Sequence, residues 1–225
     1  NTRLRSGLRF LIDQAFLPAS RLSRYPQLSP LGGVYYLPSM IAENEPLGLL
    51  ESKLPRVVDY FASAITQLGQ VVISTNSASQ IPGVPDNSVD YVFTDPPFGE
   101  NIFYADLNLV VEAWYGVFTA VDSEAIVDKP KNKGLREYEQ MMYRAFLEYH
   151  RVLKPGHWIT VVFHNSNNAV WNAIQEAMLE AGFVVADVRT LDKQQRSYRQ
   201  VTSNAVKQDL IISAYKPLDE LERKL

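Results

Sequence analysis

No cysteine occurs among the 225 residues of this chain, which excludes disulfides and thiolate-bound metals. Its three histidines are scattered, so no metal centre is expected. Nothing approaches the roughly 18 consecutive apolar residues of a membrane span, and no signal peptide is visible; a soluble cytoplasmic protein without a membrane partner is therefore expected. Excess positive charge is also lacking. A net charge of −3 and a pI of about 5.7 exclude a domain that grips nucleic acid over its whole surface, so any such contact must be local. No Gly-x-Gly occurs anywhere, and the one adjacent pair, Gly32-Gly33, precedes an apolar run instead of following one. The chain opens on Asn1 instead of methionine, which leads us to expect a piece of a longer polypeptide.

Apolar residues make up 46% of the chain, enough for one substantial core. From Val71 onward the pattern alternates strand and helix, the signature of a mostly parallel α/β sheet. Strands are predicted at 71–74, 91–94, 158–164, 183–190 and 209–215, and helices at 103–118, 135–153 and 167–180. Lys154-Pro155-Gly156 reads as a helix stop and turn, and Gly182 as a second stop. The last two strands follow each other closely enough to pair antiparallel. Trp114 and Trp171 fall on helical faces and are expected in the core. The first 70 residues are punctuated by proline, with helical stretches near 8–17 and 54–68. The expected organisation is therefore a helical insert or cap over 1–70, an α/β core over 71–217 and a charged tail over 218–225.

One short run stands out. Val89 to Thr94 is a buried-strand pattern after an Asn87-Ser88 turn, and it delivers Asp95-Pro96-Pro97-Phe98-Gly99 to the carboxyl end of the sheet, where open α/β sheets bind ligands. The prolines fix φ and carry no N–H, so the loop's carbonyls can point outward without competing donors. Phe98 offers a flat apolar face, and Gly99 lets the backbone pass close to a ligand. Asp and Pro are also ordinary turn residues, so the tetrapeptide alone does not decide.

The wider context does more. Asp95-Pro96-Pro97-Phe98 resembles the catalytic motif of the DNA N6-adenine and N4-cytosine methyltransferases, and the resemblance extends from about Leu31 to Pro217. It includes Asn101-Ile102-Phe103-Tyr104-Ala105-Asp106-Leu107, Lys133-Gly134-Leu135, and Tyr149 to Gly156 before the next strand. It continues through Phe163-His164-Asn165-Ser166, Val170-Trp171-Asn172-Ala173-Ile174 and Leu210 to Pro217. The resemblance implies a Rossmann-like S-adenosylmethionine-dependent methyltransferase sheet with an antiparallel last strand, incomplete here, behind a mainly helical N-terminal segment. It also implies methyl transfer from S-adenosylmethionine to an exocyclic amine of DNA. Asp instead of Ser before the prolines favours the N6 of adenine.

In such an enzyme the amine lone pair is delocalised into the base and must be localised. The Asp95 carboxylate and the Pro96 carbonyl would accept the two amino hydrogens, and Phe98 would stack on a base extruded from the duplex. Asp95, Pro96, Pro97 and Phe98 are thus the implied catalytic residues. Ser77, Asp95, Tyr104 and Asp106 are the implied cofactor contacts, and His164 with Asn165 to Asn167 closes a strand facing the same crevice. Lys193, Arg196, Tyr198 and Arg199 form a loop whose basic residues interleave with Tyr198 and glutamines, the mixture needed to touch phosphates and a base. A second basic run, Lys129 to Lys133 with Arg136, reads equally as a solvated loop, as do the arginines of the first 24 residues.

The family also requires a first strand ending in a glycine-rich loop, which this sequence does not contain. An upstream polypeptide or another chain is expected to supply it. Two alternatives stay open: an RNA guanine-N2 methyltransferase, whose motif is of the same kind, and a non-catalytic DNA-contacting fragment. These 225 residues alone are predicted to bind S-adenosylmethionine weakly or not at all. Titration calorimetry checks this, and clear micromolar binding would refute it.

Overall fold

A computed structural model describes residues 2–30, 36–64, 70–100, 102–164, 168–192 and 208–219. The chain divides into two compact units, residues 1–74 with 104–122, and residues 75–103 with 123–225.

The first unit contains α1 (Thr2–Ala19), α2 (Pro46–Ala64) and α3 (Tyr104–Tyr115). Pro46 opens α2 at the position where a missing N–H costs nothing, and the Glu45 carboxylate accepts from the Leu47 N–H at 2.9 Å. Phe10 meets Phe61 edge-on at 5.9 Å, and Phe16 packs on Trp114 at 4.5 Å. The Tyr115 hydroxyl donates to Asp13 at 2.6 Å. Between the helices lies an apolar cavity of about 450 Å³ lined by Ile12, Phe16, Leu50 and Trp114 among others. Trp114, expected in the core, is 69% exposed, because among the described residues this unit has no sheet to cover the ring.

The second unit holds β1 (Val89–Thr94), α4 (Leu135–Val152), β2 (Leu153–Phe163), α5 (Asn168–Glu180), β3 (Val184–Asp192) and β4 (Gln208–Tyr215). The strand order is β1-β2-β4-β3. β1 and β2 are parallel, while β4 lies antiparallel between β2 and β3, the expected antiparallel finish. This is a Rossmann-like methyltransferase-type mixed sheet with β1 at its edge among the described residues.

Two local expectations are corrected. Residues 71–74 form no strand: Val72 and Ile73 are 94% and 91% exposed, and a β-branched run without a ladder to join cannot persist as a strand. Lys154-Pro155-Gly156 does not separate α4 from β2 but lies within the first residues of β2. From Val89↔Leu153 to Tyr91↔Trp158 the register advances two residues on β1 and five on β2, so the Pro-Gly segment bulges out. Gly156 sits there at φ 74°, a conformation that favours glycine.

Burial is one-sided. On β2, Ile159, Val161 and Phe163 are fully buried, and they meet Tyr138, Met142 and Phe146, which α4 presents at helical spacing. α5 adds Val170, Ile174, Ala177 and Met178, and stops at Gly182 (φ 100°), where the Phe183 N–H returns to the Met178 carbonyl at 3.1 Å. The opposite sheet face carries Tyr91, Phe93 and Trp158 at 53%, 65% and 46% exposure.

The entry to β1 is tied to the end of α4. Asn87 and Ser88 donate their N–H groups to the carbonyls of Arg151 and Val152 at 2.9 Å each. The Lys216 ammonium donates to Asn87 Oδ1 (2.6 Å) and to the carbonyls of His150 (2.7 Å) and Leu153 (3.0 Å), closing the carboxyl end of the helix. Arg151 reaches the Val84 carbonyl at 3.0 Å and the Asp86 carboxylate, and Glu148 accepts from Arg151 and from the Ile81 N–H at 2.8 Å.

Arg151, and next the Ile81 N–H, hold the Glu148 carboxyl at about 2, against an ordinary 4.5. Such a depressed acid contributes stability that is complete above 4.5 and is lost as pH falls toward about 2. Glu148→Gln is therefore predicted to lower the denaturation midpoint by a constant amount above pH 4.5, with the gap to the parent closing on acidification. Urea denaturation across pH checks this; a gap that does not change with pH would refute it.

Candidate active site

Alternation along β1 turns Tyr91 and Phe93 outward, and Asp95, immediately after the strand, is likewise exposed. Pro96 and Gly99 are buried, while Pro97 and Phe98 are half-buried, so the loop shows its acid and hides its frame. Gly99 adopts φ 75°, and its carbonyl accepts from the Val127 N–H at 3.3 Å.

The frame is fastened from α4. Tyr138 has no exposed surface, and its hydroxyl donates to the Pro97 carbonyl at 2.6 Å. A buried tyrosine needs a partner for its hydroxyl, and here the partner is the motif loop itself. At the strand exit, Thr94 Oγ1 lies 3.4 Å from the Tyr149 hydroxyl, also on α4. With Pro97 engaged, the Pro96 carbonyl is the neighbouring proline acceptor that Tyr138 does not occupy.

Phe98 meets two rings from the exit of β2. Phe163 lies edge-on at 5.7 Å and His164 at 5.9 Å. His164 Nδ1 is in turn 2.7 Å from Asp209 Oδ1, whose residue is only 3% exposed. The contact is close, but its angle is not that of an aligned hydrogen bond.

The remaining sequence candidates divide between the two units and the residues outside the description. Ser77 is exposed in a turn of the second unit, with its hydroxyl 2.9 Å from that of Ser79. Tyr104 and Asp106 open α3 in the first unit, where an acid in the first turn complements the helix dipole. Lys193, Arg196, Tyr198 and Arg199 lie outside the described residues, as do Asn165, Ser166 and Asn167. The basic run divides: Lys131 pairs with Asp128 at 3.3 Å and sits over the Phe103 ring, whereas Lys133 is buried and donates to the Glu124 carbonyl at 2.7 Å. Lys133 is thus a brace and not a phosphate contact.

Three residues escaped sequence reasoning. Tyr138 lies inside the helix predicted over 135–153, Lys133 inside the basic run, and Asp209 opens the strand predicted over 209–215. A fully core-phased tyrosine and an acid leading into Leu210-Ile211-Ile212 were the available signals. Among the described residues no group of three or more His, Asp and Glu is placed to hold a metal. Among them, too, no helix is long and apolar enough to cross a membrane.

A family model described as DNA methylase, of the N6/N4 methyltransferase type, matches residues 89–220. No curated protein matches the chain. Among solved structures, a putative DNA modification methylase from Thermus thermophilus is similar at 18% identity and a TM-score of 0.36, over 60% of this chain and 47% of that one. The same Thermus protein complexed with S-adenosyl-L-methionine is similar at 17% identity and a TM-score of 0.38, over 63% of this chain and 54% of that one. The PvuII DNA methyltransferase, described as cytosine-N4-specific, is similar at 14% identity and a TM-score of 0.40, over 60% of this chain and 45% of that one. The chain spans about half the length of these proteins.

Tyr138→Phe removes the hydroxyl that donates to the half-buried Pro97 carbonyl and is predicted to cost about 1 kcal/mol, the net worth of one hydrogen bond. Urea denaturation measures it. A change within error would mean that the loop does not depend on this bond.

Proposed function

The chain belongs to the DNA methylase family of N6/N4 methyltransferases, and from that premise we propose that it is the base-positioning half of an enzyme that methylates the N6 of an adenine extruded from DNA. The observation that carries this reading is an exposed carboxylate, Asp95, at the exit of a parallel strand, on a proline loop whose Pro97 carbonyl is clamped by a buried tyrosine.

S-adenosylmethionine is the family's cofactor, and when bound it supplies an electrophilic methyl group. The exposed Asp95 carboxylate suits its cationic end. Asp95 and Ser77 are exposed in the second unit, and we assign both to its binding; for Tyr104 and Asp106, in the other unit, the assignment rests on resemblance alone.

Asp95 and the Pro96 carbonyl accept the two amino hydrogens, which localises the nitrogen lone pair for attack. S-adenosylmethionine would supply the methyl group to that nitrogen, leaving it positive, and its extra proton would pass to water beside the exposed Asp95 carboxylate. Asp95 stands where that positive charge develops. Pro96 and Pro97 contribute rigidity, so little reorganisation is needed at the moment of transfer. Phe98 provides the stacking face for the base. Lys193, Arg196, Tyr198 and Arg199 are assigned to DNA contact on their composition.

The glycine-rich cofactor loop is assigned to an upstream polypeptide or another chain. Three observations support that assignment: among the described residues β1 has a partner strand on one side only, the sheet face bearing Tyr91 and Phe93 is exposed, and Val72 and Ile73 are a strand-like run left exposed. Parallel strands are ordinarily covered on both faces.

In the complete natural protein, Asp95→Ala is predicted to lower methyl transfer to adenine in DNA by at least about a hundredfold, the scale of losing one preorganised acceptor at the reacting centre. Incorporation of labelled methyl into DNA and into RNA, followed by nucleoside identification, measures it. Unchanged DNA methylation would reject the catalytic assignment, and N2-methylguanine in RNA would replace the substrate.

A further inference from the structure

We propose that His164 and Asp209 are a positioning pair for the methyl-transfer site, in which Asp209 holds the imidazole and the imidazole sets the attitude of the Phe98 ring on which the target base stacks. This rests on the function proposed above.

The topology brings the three together. Thr94 of β1 pairs with Val161 of β2, so the two parallel strands end on the same side of the sheet, one in Asp95-Pro96-Pro97-Phe98 and the other in Phe163-His164. β4 runs antiparallel to β2 with Phe163 opposite Leu210, which places Asp209 across from His164 one step further on. Asp209 therefore reaches the carboxyl edge of the sheet from a strand whose other end is remote from it.

The energetics point the same way. Asp209 is 3% exposed at the head of Leu210-Ile211-Ile212, where an apolar residue would extend the core at no desolvation cost. Burying a carboxyl group is a poor source of stability, since its desolvation offsets most of what its contacts return. Packing alone does not call for an acid here. What the acid does is restrain one ring: His164 Nδ1 lies 2.7 Å from its Oδ1, and the His164 side chain keeps 20% of its surface exposed, so the restrained group is the one that still meets solvent at the crevice.

Phe98 is then gripped by consecutive residues of different character. Phe163, fully buried, meets it at 5.7 Å and 81°, and His164 meets it at 5.9 Å and 64°. The first anchors the ring to the core, while the second sits at the mouth. Without Asp209 the imidazole loses that restraint, and the support it gives Phe98 is weakened. Neither His164 nor Asp209 touches the reacting atoms on this account, so both are positioning residues and the loss should fall on base capture more than on methyl transfer.

The test uses the complete natural protein with DNA carrying 2-aminopurine at the target position, whose fluorescence rises when the base leaves the stack. Asp209→Asn and His164→Ala are each expected to raise the KM for DNA by about tenfold, part of the free energy of one base–aromatic stack, with a smaller change in kcat and a diminished fluorescence rise. Phe98→Ala should show the same split, and His164→Ala added to Phe98→Ala should cost nothing more, because the histidine acts through that ring. His164→Gln, which keeps a polar group of similar reach, covers the case in which the alanine variant does not fold. Variants that lose thermal stability but keep KM and the fluorescence rise would overturn the proposal, as would effects that add to those of Phe98→Ala. Asp95→Ala in the same series separates the two failures: if it is inactive while the His164 variants behave as the parent, this inference falls and the proposed function stands.

Discussion

The hydrogen bond from the Tyr138 hydroxyl to the Pro97 carbonyl joins the motif loop to the hydrophobic core. Two prolines limit what the loop's own backbone can do, but they cannot decide where the loop points, because neither has an N–H to anchor it. The anchor must come from outside, and α4 supplies it. The same helix sets the entry to β1 through Arg151, Glu148 and the carbonyls that Asn87 and Ser88 reach, so both ends of β1 are referred to one rigid element. A loop mounted in this way holds Asp95 exposed at the strand exit.

That arrangement holds only because α4 is so firmly seated. Tyr138, Met142 and Phe146 occupy one stripe of the helix and meet Ile159, Val161 and Phe163 on the sheet. Burial on this face is complete where the opposite face is open. The edge that carries the motif can therefore be firmly packed beside a surface that is still exposed, and the two properties belong to different faces of the same sheet. The buried Asp209 side chain belongs with the covered side, beside the His164 imidazole.

Much was legible in the residues. The order of elements after Val89 follows from apolar periodicity and from stop signals such as Gly182, and those are local properties. The antiparallel finish was legible because the last two strands are close in sequence. Two readings failed for one shared reason: local pattern says nothing about partners. Val71 to Ser74 has the composition of a strand but no ladder to join, and Trp114 sits on an apolar helical face that packs in the smaller unit. Lys154-Pro155-Gly156 has the chemistry of a turn, yet the ladder resumes around it as a bulge.

The sequence alone established the class of sheet, the presence of Asp95-Pro96-Pro97-Phe98 at a strand exit and the family resemblance, because each is encoded in consecutive residues. It could not show that Tyr138 reaches Pro97 across 41 positions or that Asp209 faces His164 across 45. Those contacts exist only once α4 lies on the sheet and β4 inserts beside β2. Residue type announces what a side chain can bond to, and chain topology alone determines which distant group arrives within bonding distance.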